Sequence, residues 1–213
     1  MGLLMSTTSL EKISAWLQEY ARVIGEHEAE LTDLDREIGD GDHGSNMVRG
    51  MRAVAGLDLA AFGDAASYLK KTGMTLVSTV GGAAGPLYGT LFLRMAGQLG
   101  SGDALDTAAF AGALKAGVEG VTQRGKSAVG DKTMVDALVP AVECLEEQAS
   151  RGAELAAALP EAAKAADAGR EATAALVARR GRASYLGERS VGHIDPGAAS
   201  AALLIESAAR TLV

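Results

Sequence analysis

A chain of 213 residues with a formal net charge of −7 is long enough to enclose one sizeable core, and too acidic to offer nucleic acid its main surface, because such binders concentrate positive charge. Its 42 alanines, against 4% aromatic residues, favour close-packed helices over a β-sandwich, so the expected class is all-α. There is no run of 18 apolar residues, no cleavable signal pattern and no second cysteine to pair with Cys144, and one cytoplasmic domain spanning 1–213 is expected.

Residues 1–6 fit the N-myristoylation pattern, but no basic cluster follows to supply the second signal that stable anchoring requires, and no membrane association is expected. Thr8-Ser9-Leu10-Glu11 reads as a capping box, and Leu10, Ile13, Leu17, Tyr20 and Ile24 then recur at three- and four-residue steps, which marks a first helix. A second, roughly 28–38, ends at Gly39. From Leu34 to Met47 the chain gathers Asp35, Asp40 and Asp42 with three glycines, His43 and Asn46. Three carboxylates so close repel one another, a conflict that a hard divalent cation resolves; Mg²⁺ takes oxygen ligands and keeps room for a substrate phosphate. Gly39, Gly41 and Gly44 let the backbone turn sharply beside a ligand. On composition alone the stretch reads equally as a polar loop in which Asp40 or Asp42 caps the next helix. A calcium-binding helix–loop–helix is excluded, since counting twelve residues from Asp35 or Asp40 puts no glycine sixth and no glutamate twelfth.

A helix from about His43 weakens at Gly56, and helical segments follow at 62–80, with Asp64 near its start, and at 85–99. Between them runs Gly81-Gly82-Ala83-Ala84-Gly85-Pro86, read either as an anion site at a helix N-terminus or as a tight turn where two helices cross. A helix over 106–124 carries Phe110, Leu114, Gly117 and Val121 on one face. Its end, 120–127, satisfies the P-loop pattern letter for letter, but a P-loop follows a buried strand and opens a helix, whereas this stretch closes one. Residues 131–134 open a helix running to about Gln148, interrupted or bent near Pro140, with Asp131 as candidate cap and Cys144 as core. Met134 reads as core or as the wall of an aromatic pocket. An alanine-rich helical stretch at 153–179 has Pro160 and Gly169 as possible breaks. Arg179, Arg180 and Arg182 then either compensate a helix dipole or hold phosphate, before a polar loop through Gly197 and a last helix to Leu212. His193 is read as structural or solvent-facing.

Residues 35–50 resemble the signature of the L subunit of dihydroxyacetone kinase, the nucleotide-binding partner of a separate dihydroxyacetone-binding K subunit. TGMTLVSTVGGAAGPLYGT (72–90), RGKSAVGDKTMVDA (124–137) and GRASYLGERSVGHIDPGA (181–198) resemble the same family in the same order. The resemblance implies a closed antiparallel bundle of about eight amphipathic helices, with the nucleotide site in loops at one end. It implies Mg²⁺, as two ions, held by Asp35, Asp40 and Asp42 on the phosphates of ADP or ATP. It further implies phosphate contacts from His43, Gly44, Ser45 and Asn46 and from the backbone of Ala83 and Ala84. Gly125, Thr133, Met134 and Arg182 would meet the nucleotide, and Asp195, Pro196 and Gly197 would close over it. The family often has serine where Ala84 stands, so one hydroxyl contact is missing.

The implied reaction moves the γ-phosphoryl of ATP to dihydroxyacetone on the K subunit, with no catalytic base on this chain. In one version of the family a phosphohistidine carrier of the sugar phosphotransferase system rephosphorylates bound ADP, and in the other ATP exchanges from solution; a free-standing L subunit leans toward the first. A homodimer or hetero-oligomer is expected. Two alternatives are a fatty-acid kinase domain, where a DGDTG core replaces Asp42-His43-Gly44, and a regulator that binds a transcription factor through its nucleotide end.

Overall fold

The computed structural model describes residues 8–99 and 105–212, and the myristoylation pattern lies outside them. Among the described residues there are nine α-helices and no strand: α1 Ser9–Glu26, α2 Glu28–Ile38, α3 His43–Ala55, α4 Ala65–Thr79, α5 Ala84–Leu99, α6 Thr107–Gly125, α7 Val135–Ser150, α8 Leu155–Ala172 and α9 Pro196–Thr211. Short 3₁₀ turns occupy Leu59–Ala61, Thr173–Ala175 and Arg182–Ser190, the last within the stretch expected to be loop.

Helix starts follow their capping residues. Thr8 and Glu11 form the expected box, Glu11 N donating to Thr8 Oγ1 at 3.2 Å and Thr8 N to the Glu11 carboxylate at 2.7 Å. Asp64, Asp106 and Asp195 accept the amides of Ser67, Ala109 and Ala198 at 2.7, 2.8 and 2.7 Å, which sets the starts of α4, α6 and α9. Each helix from α3 to α9 packs on the next, α9 packs on α1 and α2, and both of these pack on α3, so the ring closes. Only His27 parts α1 from α2, and both lie along α3; they make one bent stave, and the nine helices form the eight staves expected.

The core fixes this closure. Trp16 meets Phe92 and Phe110 edge-on at 6.0 and 5.4 Å, and its indole N–H donates to Leu204 O at 2.9 Å, tying α1 to α5, α6 and α9. Buried alanines on α8 and α9, among them Ala158, Ala162, Ala166, Ala201 and Ala208, let the staves approach closely. Neither Pro140 nor Pro160 interrupts its helix, and α8 passes through Gly169 before ending at Ala172, seven residues short of the expected 179. At Pro140 the reason is visible. Pro140 brings no N–H for Asp136 O, and Gly169 packs directly against that carbonyl, where a Cβ would lie 2.1 Å from the oxygen. No helix among the described residues is long and apolar enough to cross a membrane.

The crossing of α7 and α8 is sensitive to one methyl group. Gly169→Ala is expected to destabilise the chain by about 1–3 kcal/mol through overpacking. Gly97→Ala, on an exposed face of α5 with nothing within 4 Å, should stabilise it by about 0.5–1 kcal/mol. Urea denaturation of both variants beside the parent checks the pair.

Candidate functional site

Alternating helix direction brings the C-terminal ends of α2, α4 and α6 and the N-terminal ends of α3, α5, α7 and α9 together at one end of the ring. They surround a cavity of about 540 Å³, lined by Ile38, Asp42, His43, Gly81, Ala84, Gly125, Met134 and Pro196 among others. Four helix N-termini there put four positive dipole ends at one place, which favours an anion. In α5 the first intrahelical bond is Leu87 N to Ala83 O at 3.2 Å, so the Ala84 amide has no intrahelical acceptor, and Pro86 carries no N–H.

The acidic loop is built on Asp35. This nearly buried carboxylate, delivered by the last turn of α2, accepts the amides of Asp42 at 2.8 Å and His43 at 3.1 Å through Oδ2. Gly39 abuts its other oxygen, where a Cβ would lie 2.0 Å from Oδ1, and Gly41 turns the chain at φ +72. Asp42 stands at the N-cap of α3 without a side-chain cap bond, so the capping alternative fails at Asp42: its carboxylate does not turn back on the helix, and Asp35 holds the Asp42 and His43 amides instead. Asp35, Asp40 and Asp42 each bring an oxygen within 4.8 Å of the others. Three hard oxygen donors so placed fit Mg²⁺. Arg182 reaches across the mouth to Asp40, Nη2 to Oδ2 at 2.8 Å.

The other expected contacts divide. Asn46 is buried against Gly81, where a Cβ would meet its amide oxygen at 2.8 Å, and Arg49 donates to that oxygen and to Thr79 O, at 2.7 Å, locking α3 to the glycine-rich turn. Ala83, Ala84, Gly125, Thr133, Met134, Arg182, Asp195, Pro196 and Gly197 all line the cavity. Gly44 and Ser45 do not: Gly44 is pressed on α2, where a Cβ would lie 2.2 Å from Glu28 O, and the exposed Ser45 hydroxyl donates to Asp42 O at 3.0 Å. Gly125 ends α6 and Lys126 follows in the left-handed region at φ 49, so the P-loop-like stretch closes a helix, as read from the sequence. Met134 is both core and cavity wall, beside Leu87 and Val121.

Several site residues went unread. Asp131 does not cap α7; it accepts Ala128 N at 3.0 Å and pairs with Arg180. Asp136 does the work expected of it, accepting the amides of Thr133 at 2.7 Å and Gly130 at 2.5 Å, and the Thr133-x-x-Asp136 spacing was the available signal. Lys132, buried at φ 62, donates its ammonium to Thr173 O at 2.6 Å and to His193 O, fastening the segment before α9. Burial lowers its pKa, opposed by Asp195 and Asp136. Asp195, ringed by protein, is pushed up to about 7 chiefly by burial and further by Asp136, against the Ala198 amide and Lys132. The ring of His43 is held below the usual histidine range by burial, opposed by Asp35 and Asp42.

A closed helical ring with three aspartates facing converging helix N-termini defines an all-α, metal-dependent phosphate-binding class. Residues 37–210 match the DAK2 domain, and the chain belongs to that family. It is 43% identical over 199 residues to the PEP-dependent dihydroxyacetone kinase, ADP-binding subunit DhaL, of Escherichia coli (strain K12), covering 93% of this chain and 95% of that subunit. It is 43% identical over 193 residues to the PTS-dependent counterpart of Lactococcus lactis subsp. lactis, covering 90% and 92%. Among solved structures, the dihydroxyacetone kinase from C. freundii in complex with AMP-PNP and Mg²⁺ superposes with a TM-score of 0.71 at 27% identity, over 93% of this chain and 33% of that one.

The raised Asp195 gives the fold a pH signature. Its folded value lies above the unfolded one, so as pH rises from about 4 to about 7 the unfolded chain loses this proton first and stability falls, by up to about 1 kcal/mol per pH unit. Asp195→Asn keeps a capping oxygen and should remove that slope. Urea midpoints measured across this window for both proteins check it.

Proposed function

We propose that this chain is the ADP/ATP-binding subunit of a dihydroxyacetone kinase, delivering the γ-phosphoryl group to dihydroxyacetone held on a separate K subunit. The observation that carries the reading is the meeting of three carboxylate oxygens, within 4.8 Å of one another, with the N-terminal ends of four helices around one cavity. Asp35, Asp40 and Asp42 would hold Mg²⁺, which would supply positive charge to offset that of the phosphates. The start of α5 at Ala83 and Ala84 receives phosphate through its backbone, Arg182 adds a guanidinium at the mouth, and Leu87, Val121 and Met134 offer the adenine an apolar wall. The K subunit meets the open end, where Tyr185 is 86% exposed.

The relatives named PEP-dependent or PTS-dependent ADP-binding subunits, which this chain spans almost in full, favour ADP as a resident cofactor rephosphorylated in place by a phosphohistidine carrier. Protein purified without added nucleotide is then expected to carry near-stoichiometric ADP that survives dialysis and leaves with a chelator, read by denaturation and ion-exchange chromatography. Asp40→Asn and Asp42→Asn should retain the helical circular dichroism of the parent and lose about tenfold or more in Mg²⁺-dependent ADP affinity by calorimetry. Unchanged affinity in both would refute the site. Ala84→Ser, restoring the hydroxyl common in the family, should tighten ADP by up to about tenfold.

A further inference from the structure

Ser200, in the second turn of α9, is wholly buried behind the cavity, and its hydroxyl oxygen has three neighbours: Tyr88 OH of α5 at 2.7 Å, His43 Nε2 of α3 at 2.9 Å and Gly197 O at 3.1 Å. A hydroxyl has one hydrogen and two lone pairs. Gly197 O only accepts, so it takes the Ser200 hydrogen, and Tyr88 and His43 must then both donate. If Ser200 donated to His43 instead, its oxygen would face Gly197 O with no hydrogen between them. Tyr88 has a hydrogen to give, since burial pushes its phenol up to about 12, and Tyr20 OH is directed at Ser200 O at 3.1 Å. Only one assignment therefore satisfies all three contacts.

We infer that Ser200 is a positioning residue that locks His43 in the Nε2–H tautomer, so that Nδ1 is presented as a hydrogen-bond acceptor. His43 lines the cavity beside Asp35 and Asp42, and Nδ1 has no protein partner among the described residues. A bare nitrogen cannot bond an unprotonated phosphate oxygen; it takes a donor. Resting on the site reading above, that donor would be a water held beside the Asp35, Asp40 and Asp42 carboxylates when the cation is bound. The phosphate contact expected of the His43 side chain would thus be an indirect one, through a donor that Nδ1 accepts from.

Proton-detected nitrogen spectra of the full chain labelled at histidine test this, with only three histidines to resolve, at mildly alkaline pH where the ring is neutral. The parent should show His43 as Nε2–H with bare Nδ1, and Tyr88→Phe, which removes the other donor only, should leave that signature unchanged. Ser200→Ala should mix the two tautomers and lower Mg²⁺-dependent ADP affinity by about tenfold, roughly the worth of one buried hydrogen bond, with helicity kept. An Nδ1–H ring in the parent, or an unaltered tautomer in Ser200→Ala, overturns the lock. Failure of the parent to bind Mg²⁺-ADP would count against the site reading alone, and the tautomer of the free chain would still decide the role of Ser200.

Discussion

The carboxylate of Asp35 is the interaction on which the site depends. With one oxygen it takes up the two amides that open α3, and it thereby sets the path of the loop that carries Asp40 and Asp42. An ordinary cap would have turned the Asp42 carboxylate back onto the amide of Gly44 or Ser45. Using a residue from the preceding helix instead leaves two carboxylates pointing outward beside a third that is already fixed. The tight fit of Gly39 against Asp35 shows how little freedom the arrangement allows, since any side chain there would strike the carboxylate.

The remainder follows from direction. Around a closed ring of alternating staves, half the helices must start at the same end. The Ala84, Val135 and Pro196 starts therefore converge with that of α3 without any local motif forcing them together. Each start contributes a dipole end and amides that no carbonyl of its own helix can satisfy. Rigidity comes from the opposite quarter, the interior, where Trp16, Tyr20, Tyr88 and Ser200 bind α1, α5 and α9 through buried hydrogen bonds. The surface ion pairs, such as those of Arg22 and Arg151, are exposed and worth at most about 1 kcal/mol each.

What could be read in the sequence was local. Capping residues and apolar periods gave most helices to within a few residues, α8 excepted, and the candidate motifs fell at helix ends, the same end of the ring where the cavity lies. The unread parts are contacts between distant residues. Lys132 is a buried cation whose partners are carbonyls 41 and 61 residues away, so its neighbours in sequence carry no sign of them. Pro140 looked like a break because its complement, Gly169, lies on another helix. Ser200 sits among alanines in the last helix, and its part emerges only when α3 and α5 are brought against it.

The two kinds of contact at the mouth differ in strength, and the difference bears on mechanism. The Asp35, Asn46 and Lys132 contacts are buried, directed at backbone or at neighbouring polar groups, and costly to break. The pair between Arg182 and Asp40 is mostly exposed, 68% and 35% by side chain, and therefore weak. On the proposed reading Asp40 serves a cation and Arg182 a phosphate, so binding exchanges this pair for two stronger ones at little cost. The firm contacts hold the coordination geometry and the loose one yields to the incoming ligand. On that reading, a site that passes a phosphoryl group to another subunit needs both, because its mouth must rearrange while the loop that would hold the metal keeps its path.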